Sequence, residues 1–339
     1  MASLKDIAAQ TGLSMNTVSR AIRHSGYVSK KAQKLVDAAV VKLNYQPNRA
    51  AQSLRSSRSY EIAVINIVDN PSSACDSMAM DKAFGIKEYL TTVSYEPNMH
   101  YMYASPKYSD ESEKLFTNIL RQKPAGIIFL SENAMAMKLY DLAEKSGIPA
   151  ILISYAGNLK YDSVYVDRQQ GVYDAVRYLL EQGRRNIVFA GQDDNNQRLK
   201  GYNAALVEAG ISPKVIEPIA PYVSSKLEEI FQIGQNTAAK ILKQQADVDA
   251  IIAYSDYLAS GIAMSLKSSG KRIPEDIALI GFDNRELTMF SSPPLTTIAQ
   301  PNRELGRLTA KALLSKVLSQ NTKKIQIKVK MDLVLRQSA

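Results

Sequence analysis

Tryptophan is absent from this chain of 339 residues, cysteine occurs once and histidine twice. A lone Cys75 forms no internal disulfide, so the fold must stand on its apolar core, and an unpaired thiol fits a reducing compartment. His24 and His100 leave little material for a histidine-dependent triad or a zinc site, and Cys75 has no nearby histidine to activate it. No apolar run reaches the ~20 residues that span a bilayer, and MASLKDIAAQ lacks the basic-then-apolar order of a secretory signal. A cytoplasmic location with no membrane partner is therefore expected. GxGxxG after a first strand, GxxxxGK[ST] and HExxH are missing too; SSGKRIP has a Gly-Lys pair but neither the upstream Gly nor the Ser/Thr. These absences weigh against an enzyme and predict neither cofactor nor metal.

What the chain does have is charge in one place. Met1 to Ser59 carries ten Lys or Arg against Asp6 and Asp37, so +8 of the net +9 lies there. Such confinement favours an acidic polymer as the partner of this segment, because neutralising phosphates releases counterions.

The stretch SLKDIAAQTGLSMNTVSRAI explains what that charge serves. Ser3 and Asp6 have capping-box spacing, Leu4, Ile7 and Ala8 form one apolar face, and Gly12 suits a left-handed stop. Ser14 is placed to cap a second helix. At ~100° per residue, Thr17, Val18 and Ala21 fall on one side of it, and Met15, Asn16, Ser19, Arg20 and Arg23 on the other. A helix of this kind fits the major groove: Arg20 can fork onto guanine, Asn16 can pair with adenine, and Ser19 and Thr17 can hold phosphates. Ser29 then caps a third helix, whose stripe Ala32, Leu35, Val36, Ala39, Val40 and Leu43 supplies a core. In the following PNRAAQSLRSSRS, Pro47 suits a helix start and Asn48 a cap. Arg49 to Arg55 makes only about two turns, too few to be stable alone, so helix formation there should depend on a partner.

From Tyr60 onward, apolar runs alternate with amphipathic segments. IAVINIV, MYA, GIIFL, AILIS, NIVFAG, DAIIAYS and IALIGFD read as strands. This βαβ alternation implies parallel sheets covered on both faces, and the span is long enough for two lobes with a ligand between them at the carboxyl ends of the strands.

The words LKDIAAQTGLSMNTVSRAI and GYVSKKAQKLVDAAVVKLNYQPNRAAQSLR, followed by VYVDRQQGVYDAVRYLLEQG, RLKGYNAAL, IPEDIALIGFDN and SPPLTTIAQP, resemble the lactose-repressor (LacI/GalR) family of bacterial transcription regulators. The resemblance implies an all-α helix-turn-helix head at 1–46, a hinge helix and linker at 47–59, and an α/β two-lobed periplasmic-binding-protein-like effector domain with parallel sheets at 60–339. Its N-lobe is expected at about 60–155 plus 293–317 and its C-lobe at about 162–283 plus 323–339, with crossings near Ala156 to Tyr161, Asn284 to Ser292 and Leu318 to Thr322. It implies a homodimer on a palindromic double-stranded operator, usually as a repressor. Met15, Asn16 and Arg20 resemble the family's base readers, and Leu54 its minor-groove wedge; Arg49 and Arg55 flank that wedge. Arg198 and Asp283 match positions that bond polar groups of a small effector, a sugar or related metabolite, and Ser154 and Ser255 line up with two more. An interlobe salt bridge or a helix cap is the other reading of these residues. Tyr222 offers a ring face for a sugar. The chain departs from the family after its first effector-domain strand, where Asn70 and Pro71 run into SSACDSMAMDKAFG, and at Ser255-Asp256 and Gly183-Arg184. A sugar-binding module or an α/β enzyme without gene regulation is the alternative.

Overall fold

The computed structural model describes residues 2–22, 27–43, 45, 59–68, 76–157, 160–192, 197–216, 227–245, 247–319 and 323–339. The chain divides into two compact units, Met1–Tyr60 and Glu61–Ala339.

In the first unit, α1 spans Leu4–Thr11, α2 Met15–Ile22 and α3 Lys30–Lys42. The capping box forms as the spacing predicts: the Ser3 N–H donates to Asp6 Oδ2 at 2.7 Å, and Ser3 Oγ accepts from the Asp6 N–H. Gly12 ends α1 at φ 66°, the left-handed conformation that a Cβ resists. Ser14 accepts from the Thr17 N–H at 3.1 Å and Ser29 from the Ala32 N–H at 3.2 Å, so both later helices start where a side-chain oxygen can hold an orphan amide. Ile7, Val18, Ala21, Val36 and Ala39 close a small core. Leu35, expected in that stripe, is exposed instead; three-helix packing uses a narrower face than the periodicity offered.

The second unit holds two six-stranded sheets. Its first half runs β1 Glu61–Val68, α4 Ser77–Thr92, β2 Glu96–Tyr103, α5 Ser109–Gln122, β3 Gly126–Phe129, α6 Ala134–Lys145, β4 Ala150–Ser154 and β5 Ser163–Val166. The chain continues with α7 Arg168–Glu181, β6 Ile187–Ala190, α8 Gln197–Glu208, β7 Lys214–Ile216, α9 Leu227–Gln244, β8 Ala250–Ala253, α10 Asp256–Ser268 and β9 Ala278–Asp283. It ends with α11 Leu287–Phe290, β10 Thr296–Ala299, α12 Asn302–Ser319, β11 Gln326–Val329 and β12 Asp332–Val334. The N-lobe sheet has the order β11-β5-β4-β3-β1-β2 and the C-lobe sheet β12-β10-β9-β8-β6-β7, all parallel except β12 against β10.

Burial on both faces explains the unbroken apolar strands. Val64 and Ile128 face Ile86 of α4 and Leu313 of α12, while Ile65 and Phe129 face Phe116 of α5 and Leu139 of α6. Where α4 crosses α12 the backbones touch: a Cβ on Gly85 would lie 1.9 Å from the Arg303 carbonyl oxygen, and one on Gly306 2.0 Å from that of Lys82.

The lobe boundaries differ from those expected. β5 and β11 lie in the N-lobe sheet and β10 in the C-lobe sheet. The chain therefore crosses at Asp167, at Gln300–Pro301 and at Lys330–Met331. The segments expected as crossings are the β4–β5 connection, the short helix α11, and the turn between α12 and β11. SVYV and TTIA are four-residue runs that suit either sheet, and only the pairing of β5 with β4 and of β10 with β9 decides which. β2 is also longer than MYA, because it is an edge strand whose polar alternation hides pairing with β1 along its whole length.

Candidate functional site

Two surfaces carry the chemistry that the sequence announced. The first is the outer face of α2. Val18 and Ala21 are buried, which turns Met15, Asn16 and Arg20 to solvent. The side chains of Arg20 and Asn16 make no hydrogen bond or ion pair with another described residue, so their donors are available to an incoming partner. Ser14 Oγ lies 2.8 Å from Thr17 Oγ1, and Thr17 and Ser19 are half-buried at the edge of this face. Arg23, Asn48, Arg49, Leu54 and Arg55 lie outside the described residues.

The second is the cleft where the two sheets present their carboxyl ends. Four of the five effector residues expected from sequence are described there, and Tyr222 lies outside the described residues. Arg198, the second residue of α8, is 3% exposed and holds its guanidinium 4.1 Å from the ring centres of both Tyr254 and Phe282. Asp283 ends β9 at φ 109° and Asn284 follows at φ 59°. Two successive non-glycine residues at positive φ store strain at this carboxyl end of the sheet. The Asp283 carboxylate accepts from Gln300 Nε2, on the second crossing.

Ser154 and Ser255 are structural in their visible contacts. Ser154 Oγ donates to Glu132 Oε2 at 2.7 Å and accepts the Gly157 N–H at 3.1 Å; Ser255 caps α10 by accepting the Leu258 N–H at 3.3 Å.

Sequence reasoning missed the charged residues that surround these. Asp76, the N-cap of α4, pairs with Arg285, whose Nη1 also donates to Ser77 Oγ at 3.1 Å, so this contact ties the N-lobe to the C-lobe. Arg168, the first residue of α7, is 7% exposed and stacks 4.3 Å above the Tyr155 ring. Lys82 is buried in α4, its Nζ 3.4 Å from the Leu130 carbonyl oxygen. Its signal was present: a lysine in the helix stripe that also holds Gly85, Ile86 and Leu90. Asp256 is fully buried, accepting from Thr297 Oγ1 and from the Arg285 N–H, both at 2.6 Å. Gly281 makes room for it, since a Cβ there would lie 2.2 Å from Asp256 Oδ1.

Burial dominates the electrostatics. It pushes the Lys82 amine down to about 8, with Arg168 adding repulsion that Asp76 and Asp283 offset. The Arg168 guanidinium falls to about 10 for the same reason and because Arg198 is near. Asp256 rises to about 7 through burial and the nearby Asp283 charge. His100, by contrast, sits on the edge strand β2, half-buried and remote from this chemistry.

Comparison with known proteins identifies both parts of the chain. Residues 3–48 match the family model of bacterial regulatory proteins, lacI family, and residues 176–339 match a periplasmic binding protein-like domain. The HTH-type transcriptional regulator DegA of Bacillus subtilis is 30% identical over 313 residues, covering 90% of this chain and 88% of that protein. The HTH-type transcriptional repressor PurR of Photobacterium profundum is 27% identical, covering 100% of this chain and 98% of that one. Among solved structures, the lac repressor dimer bound to operator and the anti-inducer ONPF superposes with a TM-score of 0.71 at 25% identity, covering 99% of this chain and 98% of that one.

Proposed function

This chain belongs to the lacI family of bacterial regulatory proteins, and from that premise we infer that it represses transcription by binding a palindromic operator as a homodimer, under control of a small molecule in the interlobe cleft. The observation that carries this reading is the head, where a buried Val18 and Ala21 turn the polar α2 face with Asn16 and Arg20 outward in the segment that holds +8. On that face Arg20 and Asn16 are our base readers, Met15 packs against base methyls, and Ser14, Thr17 and Ser19 hold phosphates. Arg23, Asn48, Arg49 and Arg55 add backbone contacts, and Leu54 opens a base step at the operator centre. Two heads then read half-sites about one helical turn apart.

Control follows from differential affinity: an effector that fits one lobe arrangement better shifts the population toward it, and DNA favours one arrangement. Arg198 and Asp283 are the effector contacts proposed from sequence, and the lac repressor, bound to the anti-inducer ONPF, supports a small-molecule occupant. The Asp76–Arg285 pair is the contact across the lobes that such a ligand would stabilise or strain. Exposed Phe84 and Met80 on the N-lobe and Phe290 and Met289 on the C-lobe offer apolar surface for the second protomer. The relatives are regulators, and we assign the chain no catalytic step. Its place of action is the cytoplasm, and no helix among the described residues is long and apolar enough to cross a membrane.

Selection of bound duplexes from a random DNA pool tests the reading, using the full chain and a version lacking Met1 to Ser59 at near-physiological salt. A palindrome enriched by the full chain alone is the expected result. Enrichment of the same sequence by both versions, or by neither, would remove the head from the function.

A further inference from the structure

The cleft holds more buried positive charge than its own carboxylates answer. Arg168 is more than nine-tenths buried, and its Nε has no acceptor. Its guanidinium carbon lies 4.3 Å from the Tyr155 ring centre, a contact that leaves Nε as a buried donor for an incoming acceptor. Lys82 is equally buried, and its ammonium, with three donors, has one long hydrogen bond to the Leu130 carbonyl oxygen at 3.4 Å. Ser131, the next residue after Leu130, has a buried hydroxyl without a partner. Of the carboxylates nearby, Asp76 pairs with Arg285 and Asp256 accepts from Thr297 and the Arg285 N–H, while Asp283, hydrogen-bonded only to the neutral Gln300 amide, is the one whose charge Arg168 and Lys82 share at a distance. Neither Arg168 nor Lys82 forms an ion pair with a described residue.

A buried charge left without a counter-ion costs several kcal/mol in a protein interior. A neutral sugar would not repay that cost, because hydroxyls supply dipoles and no compensating charge.

We propose that the occupant of the cleft is a sugar or polyol carrying an anionic group, a phosphate or a carboxylate, and that Arg168 and Lys82 hold that group while Asp283 and Arg198 serve the hydroxyls. The proposal rests on the reading of the cleft as the effector site. It separates this chain from a sensor of neutral sugars through residues on the two lobes: Lys82 belongs to the N-lobe and Arg168 to the C-lobe, so a single anion held by both draws the lobes together.

The test is thermal unfolding of the full chain, followed by circular dichroism, with inorganic phosphate, with acetate and with sodium chloride at equal ionic strength. Phosphate or acetate at about ten times its Kd should raise the melting temperature by a few degrees above the chloride control. The anion that does so names the group: phosphate a sugar phosphate, acetate a sugar acid. R168Q and K82M should each lose that gain, and K82M should melt above the wild type without anion, because it removes a buried ammonium that no ion pair neutralises. If neither anion exceeds chloride, or if both variants keep the gain, the proposal is overturned. A K82M that melts below the wild type counts against Lys82 as a ligand group, and R168Q then decides for Arg168. Operator selection on the same preparation separates the two readings: anion stabilisation without an operator sinks the regulator, and an operator without anion stabilisation sinks only the anionic effector.

Discussion

Asp256 should make this protein less stable as the medium turns alkaline. Its carboxyl is fully buried and pushed up to about 7, while an unfolded chain titrates near the ordinary carboxylate value. Because the folded pKa is the higher one, the protonated form contributes stability that is fully present below about pH 4 and is lost as pH rises to about 7. A displacement of about three pH units corresponds to about 4 kcal/mol, of which about 2 kcal/mol falls between pH ~5.5 and ~8. Asp283 strengthens the effect by repulsion, while Thr297 and the Arg285 N–H oppose it. Asp256→Asn isolates the group: its carboxamide oxygen can accept from the Arg285 N–H and its NH₂ can donate to Thr297 Oγ1, so shape and bonding survive without the charge. Urea unfolding followed by circular dichroism suits a chain without tryptophan. The wild type should lose stability between pH ~5.5 and ~8 relative to Asp256→Asn, which should be the more stable form at pH ~8. Parallel pH profiles for the two proteins would refute the reasoning.

Four further outcomes are expected. Arg20→Ala should weaken operator binding by about 1 to 3 kcal/mol and relax preference at one base position, and equal weakening on every duplex would remove Arg20 from the readers. Leu54→Ala should reduce operator bending, measured by the mobility of circularly permuted fragments; an unchanged bend angle would end the wedge assignment. Asp283→Ala should abolish the effector response while sparing operator binding, and intact induction would show that the pocket lies elsewhere. Gly306→Ala should destabilise by at least ~1 to 3 kcal/mol, because its Cβ would meet the Lys82 carbonyl oxygen at 2.0 Å; a melting temperature equal to the wild type would show that α4 and α12 can part freely.

The features legible in the sequence are those whose physics is local. The capping box of Ser3 and Asp6, the left-handed Gly12, the two faces of α2 and the buried strands each depend on residues within about two helical turns or one strand. Confinement of the charge to the first 59 residues could be counted without coordinates. Arg198 and Asp283 were nominated by their place in family words, and Ser154 and Ser255 carried no sign of whether they would line a pocket or hold a turn.

By itself, then, the sequence determined a cationic helix-turn-helix head and a two-lobed parallel α/β body, because period, capping and composition are properties of neighbouring residues. Only the tertiary structure decided which sheet takes SVYV and TTIA, since a strand's own residues do not say which neighbour it will hydrogen-bond. The same holds for the cleft. Asp76 and Arg285 are 209 positions apart in the chain and share an ion pair, and Lys82 and Arg168 lie on different lobes yet feel each other's charge. Electrostatics acts through space rather than along the chain, so the charge character of that site exists only once the lobes are folded against each other.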